Sequence, residues 1–96
     1  MPNHSELRKD LVCARDLIKE HGWIQRRLGS RNVGYCVVGA LVKAVGTEKL
    51  ATRLGGALDH LGRFTAGDTV PNWNDTEGRT QEEVLELLET AIECTK

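Results

Sequence analysis

The sequence lacks the patterns that would place it in a membrane or outside the cell. It has no run of about 18 apolar residues, so none of its segments is expected to cross a bilayer as a helix. It has no basic segment followed by a short apolar one near its start, which disfavours a secretory signal peptide. We therefore expect a cytoplasmic protein that is not attached to a membrane.

Cysteine is also scarce, and its spacing excludes two common roles. Cys13, Cys36 and Cys94 are an odd number and form no C-x-x-C pair, so neither a disulfide framework nor a cysteine zinc site is expected. The carboxylates between residues 68 and 77 do not follow the EF-hand pattern D-x-[DN]-x-[DN]-G. The sequence therefore predicts reduced thiols, no metal site and no cofactor.

No strong excess of charge is present, although the charge is unevenly distributed. The net charge is −1, which gives no general attraction for nucleic acid. Residues 1–33 carry seven Lys or Arg against four Asp or Glu, whereas residues 80–96 carry one against five. This division indicates either ordinary solvated helix faces or two surfaces of opposite sign that bind a partner.

What the sequence does contain is helical periodicity, because apolar residues recur three and four positions apart in four segments. The predicted helices are about 5–21, 35–45, 47–61 and a fourth that begins at Thr80 and includes Ile92. Ser5 and Thr47 are expected as N-caps, and Gly22 is expected to end the first helix. In the fourth, Thr80 and Glu83 form a capping box.

The fold class predicted from these segments is all-α, a compact four-helix domain that covers residues 1–96. The second helix, at about 35–45, is apolar on nearly every side and is expected to be the buried centre. A glycine pair in the third helix, Gly55–Gly56, indicates close packing, a kink, or an error in the prediction of a helix there. Residues 23–34 are either a hairpin or an irregular loop, and about 63–79 form a long ordered loop that packs on the core through Phe64 and Trp73.

Three sequence patterns resemble those of a family of small bacterial and bacteriophage proteins. They are C-x-x-G-A-L at residues 36–41, W-N-D-x-x-G-R-T-x-x-E-V-L at 73–85, and the pair Gly22–Trp23. The resemblance extends from about residue 11 to 92. It implies a bacterial or phage origin, with the host cytoplasm as the location of a phage-encoded copy. Because the family is of unknown function, the resemblance implies no activity, but it does place Cys36, Trp73, Asn74 and Asp75 in the shared pattern.

Cys36 is the candidate nucleophile, because it falls at the start of the second helix, where the helix dipole can lower the pKa of a thiol. His60 is a candidate base, and Asn74 or Asp75 could orient its ring. The competing interpretation is that Cys36 is a small buried core residue among valines and alanines. The sequence favours the core interpretation.

Arg26, Arg27 and Arg31 are the candidate binding residues before that helix. Arginines beside a helix N-terminus are suited to a phosphate-bearing ligand or an acidic protein surface. A nucleotide-hydrolysing P-loop is excluded, because Tyr35 and Cys36 stand where Lys and Ser or Thr are required. Solvated loop arginines are the simpler alternative.

Trp73, Asn74 and Asp75 complete the predicted binding residues. The competing interpretation is structural, with Trp73 packed on the core and the two polar side chains bonded to nearby backbone amides.

For function, the sequence favours a non-enzymatic binding or accessory module that acts on a macromolecular partner, with a protein as the favoured kind of partner. A homo-oligomer is compatible with this prediction. The alternative is a cysteine-dependent enzyme or thiol sensor that uses Cys36 with His60 and Asn74 or Asp75.

Overall fold

The computed structural model describes residues 4–95, and most of these residues are helical. Within them, five α-helices are accompanied by one short antiparallel pair of strands. The helices α1 to α5 are His4–His21, Val37–Val45, Gly55–Gly62, Val70–Asn74 and Gln81–Glu93. The strands β1 and β2 are Gly29–Ser30 and Gly34–Tyr35. The expectation of a mostly helical fold is confirmed, whereas the four-helix, all-α description omitted α4 and the strands.

The core is built around α1 as much as around α2. α2 is buried at Val37, Ala40 and Leu41, as its apolar composition predicted. α1 packs against both α2 and α5, whereas α2 and α5 make little contact with each other. The reason is the long apolar stripe of α1, which includes the fully buried Leu11 and Ile18 and supplies contact area to two neighbours. None of the helices within residues 4–95 combines the length and the apolar character needed to span a bilayer.

The third predicted helix is not one continuous α-helix. Thr47–Lys49 is a 3₁₀ turn, Leu50–Leu54 has π-helical hydrogen bonding, and only Gly55–Gly62 is α-helical. The glycine pair therefore begins α3, and a Cβ added at Gly55 would meet nothing within 4 Å, so close packing does not account for Gly55. Thr47 lies inside the 3₁₀ turn, after Gly46 as its N-cap.

An ion pair joins the irregular segment to α1. The guanidinium of Arg53, in the π-helical turn, binds both carboxylate oxygens of Asp10, with Nε to Oδ2 at 3.0 Å. Asp10 is only 3% exposed, so this bidentate pair supplies the partner that a buried carboxylate requires.

The predicted long loop is ordered, but it contains a helix that the sequence interpretation missed. Thr69 caps α4 by accepting a hydrogen bond from the amide of Asn72 at 3.3 Å, and Pro71 occupies the first turn, where its missing N–H costs nothing. Val70 is buried and Phe64 is partly buried against the core. The capping box of α5, formed by Thr80 and Glu83, is confirmed.

Both alternatives predicted for residues 23–34 occur, since residues 29–35 form a small hairpin and residues 24–28 are irregular. β1 and β2 pair antiparallel, with Gly29 opposite Tyr35 and Ser30 opposite Gly34. Tyr35 also bridges to Trp23 in parallel register. Gly22 follows the last residue of α1 at φ +96°, as predicted, and Ser5 lies within the first turn of α1.

Candidate functional site

The carboxamide of Asn74 is the centre of a hydrogen-bond network that joins three segments distant in the chain. Its Oδ1 accepts hydrogen bonds from the indole Nε1 of Trp23 at 2.8 Å and from the amide of Val37 at 3.0 Å. Its Nδ2 donates to the carbonyl of Ile24 at 3.3 Å and to Oδ1 of Asp75 at 3.0 Å. An asparagine amide has two donors and two acceptor lone pairs, so this 1%-exposed side chain is fully satisfied.

Asp75 and Gln25 extend the same network to the surface. Oδ1 of Asp75 accepts the amide N–H of Arg26 at 2.8 Å. Nε2 of Gln25 donates to the carbonyls of Asn74 at 3.0 Å and Thr76 at 2.9 Å. The pKa of Asp75 is held below its usual value, first by the hydrogen bond from the Asn74 side chain and then by the Arg26 amide. The end of α4 is thereby tied to the segment that follows α1.

Trp73 lines a different cavity from Asn74 and pairs with Arg79. The guanidinium carbon of Arg79 lies 3.9 Å from the centre of the Trp73 ring, a cation–π contact. Nε of Arg79 donates to the carbonyl of Trp73 at 2.9 Å, and Nη1 binds Glu83 at 3.1 Å. The W-N-D-x-x-G-R-T-x-x-E pattern therefore describes a set of interactions that joins α4 to the start of α5.

Cys36 is the N-cap residue of α2, one position before its first turn and not within that turn as predicted. Its Sγ accepts a hydrogen bond from the amide of Gly39 at 3.2 Å, and the side chain is buried at 8% exposure. Burial raises the pKa of this thiol, which outweighs the opposite effect of the backbone amides of Gly39 and Val38. A buried thiol with a raised pKa is poorly suited to act as a nucleophile at neutral pH.

His60 lies in a different part of the molecule, on α3 where that helix meets α5. Its Nε2 is 2.8 Å from the carbonyl oxygen of Ala91, and its ring contacts Phe64 edge to face. It is not among the residues that line the cavity beside Cys36. The structure thus brings Cys36, Asn74 and Asp75 together and leaves His60 apart from them, so these residues do not form a cysteine–histidine pair.

The start of α2 has no amide left to hold an anion. The amide of Val37 is taken by Asn74, the amides of Val38 and Gly39 face the sulfur of Cys36, and the amide of Cys36 donates to the Leu28 carbonyl at 3.2 Å. The helix N-terminus therefore does not supply the backbone donors on which a phosphate site of this kind depends.

The segment before α2 presents an unusual surface. Leu28 and Val33 are 54% and 52% exposed, and they are the large hydrophobic residues that stand out as exposed within residues 4–95. Three exposed arginines accompany them. We refer to Arg26, Arg27, Leu28, Arg31 and Val33 together as the basic–apolar surface.

Cavities open on both sides of Leu28. One, of about 300 Å³, has apolar walls from Leu28, Val38 and Pro71, with Arg26 and Arg27 also lining it. The other, of about 320 Å³, lies between Leu28 and α2, and Arg31 and Lys43 line it. Leu28 thus lines two cavities, and positively charged side chains line each of them.

Sequence reasoning missed several residues that matter here. Trp23 and Arg79 stand inside the recognised patterns, and that position is the signal by which they could have been found. Leu28 and Val33 were overlooked because an apolar residue in a loop has no periodicity to mark it. Within the stretch from His4 to Thr95, no group of three or more His, Cys, Asp or Glu side chains is arranged to hold a metal ion.

Comparison with known families assigns the chain. A model described as a family of unknown function, DUF6197, matches residues 2–93. No curated protein and no solved structure matches the chain. The expectation of a family of unknown function that extends over most of the sequence is confirmed by this match. The protein therefore belongs to the DUF6197 family.

Proposed function

We propose that this protein is a non-enzymatic binding module whose basic–apolar surface docks on an acidic, partly apolar region of a protein partner. The single observation that carries this proposal is the position of Leu28 and Val33. Both are more than half exposed, and both belong to the segment that also carries Arg26, Arg27 and Arg31. Arginine is enriched at protein interfaces, and an exposed apolar side chain gains free energy when a partner covers it.

The charges of this surface support an acidic partner. Within the described part of the chain, Arg27 and Arg31 form no ion pair, so their guanidinium groups are available to carboxylates. Lys43 lines the cavity on one side of Leu28 and adds to the positive charge. Asp75 offsets part of the positive charge of one of these arginines, Arg26.

The segment is also held in one conformation before a partner arrives. The carbonyl of Leu28 accepts the amide of Cys36, and the amide of Arg26 donates to Asp75. Arg26 has a φ of +68°, a conformation that non-glycine residues adopt only when their surroundings stabilise it. A loop that is already ordered loses less entropy on binding, which favours affinity.

The role of Asn74 and Asp75 in this proposal is to position the surface. Asn74 accepts hydrogen bonds from Trp23 and from the start of α2, and Asp75 accepts one from the amide of Arg26. These bonds fix the position of the segment that carries the basic–apolar surface. Trp73 contributes to the position of α4 through its contact with Arg79. The setting implied by the sequence resemblance, a bacterial or phage protein in the cytoplasm, is part of the proposal.

A selection of random peptides tests the proposed function. Peptides displayed on phage are selected on the immobilised protein, and the affinity of each enriched peptide is then measured for the natural sequence and for the variants. We expect enrichment of peptides with Asp or Glu around one large apolar residue, bound about tenfold or more weakly by Leu28→Ser and by Arg27→Glu.

Arg8→Glu is the matched control, because Arg8 is an exposed arginine on α1 outside the basic–apolar surface. It makes the same change of net charge as Arg27→Glu and should leave peptide affinity within about threefold. Peptides that bind all variants equally, or selection of basic peptides, would contradict the proposal. Enrichment of ligands that carry phosphate in place of carboxylate in a parallel screen would assign the surface to a phosphate-bearing ligand.

A further inference from the structure

We infer that the partner of the basic–apolar surface is a second copy of this chain, which contributes the acidic face of α5. This inference rests on the proposed function, since it names the acidic partner that the surface requires. It draws on the charge distribution of α5, on a cavity beside that helix, and on the position of α4, which borders both surfaces.

The exposed face of α5 has only negative charge. The helix carries five glutamates and no lysine or arginine. Glu83 and Glu89 are paired with Arg79 and Arg15, whereas Glu82 and Glu86 are exposed and form no ion pair within residues 4–95. Glutamates three and four positions apart repel each other in an isolated helix. Arginines from a second chain would turn this repulsion into attraction.

A cavity beside this face is suited to receive an apolar side chain. It has a volume of about 290 Å³, and its apolar walls come from Phe64, Trp73 and Leu87. Glu86 stands at the same cavity. The protruding Leu28 of a second copy is the matching feature, because Arg27 and Arg31 flank it in the chain as carboxylates flank the cavity.

The helix α4 borders both surfaces. Pro71 and Asn74 line the cavity beside Leu28, whereas Trp73, from the same short helix, lines the cavity beside α5. Because α4 borders both surfaces, a two-fold axis near α4 would place Leu28 of each copy in the cavity beside α5 of the other copy. Such a reciprocal contact closes a dimer and leaves no binding surface unused.

Sedimentation equilibrium of the intact protein and two charge-reversed variants tests this inference. We expect a dimer for the natural sequence, weakened as NaCl is raised from about 50 to 500 mM because the charges are screened. Arg27→Glu and Glu86→Arg should each raise the dissociation constant about tenfold or more. An equimolar mixture of these two variants should recover dimers. In the mixed dimer one contact pairs the new glutamate at position 27 with the new arginine at position 86, and the other contact pairs Arg27 with Glu86 as in the natural sequence.

Arg8→Glu and Glu48→Arg serve as controls of equal charge change at exposed positions elsewhere on the fold. They should dimerise like the natural sequence, and circular dichroism confirms that every variant is folded. A protein that remains monomeric up to about millimolar concentration would overturn the inference, as would a dimer insensitive to both reversals. An open series of larger oligomers would overturn the reciprocal arrangement.

The outcome also separates the inference from the proposed function. If the protein is monomeric while selected acidic peptides still bind at Leu28, the surface has a different protein partner, and only the inference fails. If neither peptides nor a second copy depends on Leu28 and Arg27, both fail.

Discussion

The indole Nε1 of Trp23 donates a hydrogen bond of 2.8 Å to Oδ1 of Asn74, across 51 positions of sequence. The same oxygen accepts the amide of Val37, so one side chain of α4 connects the segment after α1 to the start of α2. A polar group with every bond satisfied can be buried without penalty, and it specifies which segments lie together. This relationship gives a structural role to Trp23 of the Gly22–Trp23 pair and to Asn74 of the W-N-D pattern.

Replacement of Asn74 tests that structural role. Asn74→Ala should lower the free energy of unfolding by about 2–4 kcal/mol, because the buried amide of Val37 and the indole of Trp23 lose their acceptor. Urea denaturation measures the change. Asn72→Ala, an exposed position two residues away, should change it by less than about 0.5 kcal/mol. Equal effects of the two substitutions would show that the network does not stabilise the fold.

We expect the free energy of unfolding to depend on pH through the carboxylate of Asp75. Its pKa in the folded protein lies below the unfolded value of about 3.9, because the Asn74 side chain and the Arg26 amide stabilise the charged form. This contribution is complete above the unfolded pKa. It is lost as the pH falls from about 4 through the lower folded-state pKa.

The matching experiment compares unfolding of the natural sequence and Asp75→Asn between about pH 2.5 and 6. The variant should lose less stability on acidification, because an amide at this position does not titrate and carries no proton-linked charge. Asp68→Asn is the control, since Asp68 is exposed and its carboxylate makes no hydrogen bond to any residue between His4 and Thr95. A steeper acid dependence in Asp75→Asn than in the natural sequence would reverse the predicted sign.

Two glycine substitutions predict opposite changes in stability. A Cβ at Gly39 would overlap the carbonyl oxygen of Leu28, so Gly39→Ala should cost about 1–3 kcal/mol and weaken binding at the basic–apolar surface. Nothing lies within 4 Å of a Cβ at Gly55, so Gly55→Ala at the start of α3 should stabilise by about 0.4–1 kcal/mol. Thermal unfolding distinguishes them, and a neutral Gly39→Ala would show that the loop is not packed on α2.

Alkylation of the native protein tests the state of Cys36. Because burial raises the pKa of its thiol, Cys36 should react about tenfold or more slowly than the exposed Cys94. Its rate should have a midpoint above the ordinary value of about 8.5. Peptide mass spectrometry after timed labelling gives both quantities. A midpoint well below that value, together with fast labelling, would favour the cysteine-dependent enzyme or thiol sensor.

Several local features were predictable from sequence because they depend on residues close together in the chain. The apolar stripe of α1 and the capping box of Thr80 and Glu83 each lie within a few turns of one helix. The end of α1 at Gly22 follows from the left-handed conformation that glycine adopts easily. α4 was missed although Thr69 and Pro71 signal a helix start, because five residues are too few to show a period.

The candidate site was predictable only in part. Cys36, Asn74 and Asp75 were selected together, and they do lie together, but His60 was added on residue type alone and packs against Ala91 instead. A list of chemically suitable side chains contains no distances. Leu28 was not selected at all, since exposure is a property of the folded surface and leaves no trace in a short loop sequence.

The sequence by itself determined the helical class, the chief amphipathic faces and the capping of α5, because these follow from spacing and from side chains that bond their own backbone. Tertiary structure decided the rest. It brought residues 23–26, 37 and 74–76 to one point, turned the Cys36 thiol inward, and left Leu28 and Val33 facing solvent. The physical reason is that hydrogen bonds and burial between distant segments depend on the packing of all the helices at once, and no local pattern contains that information.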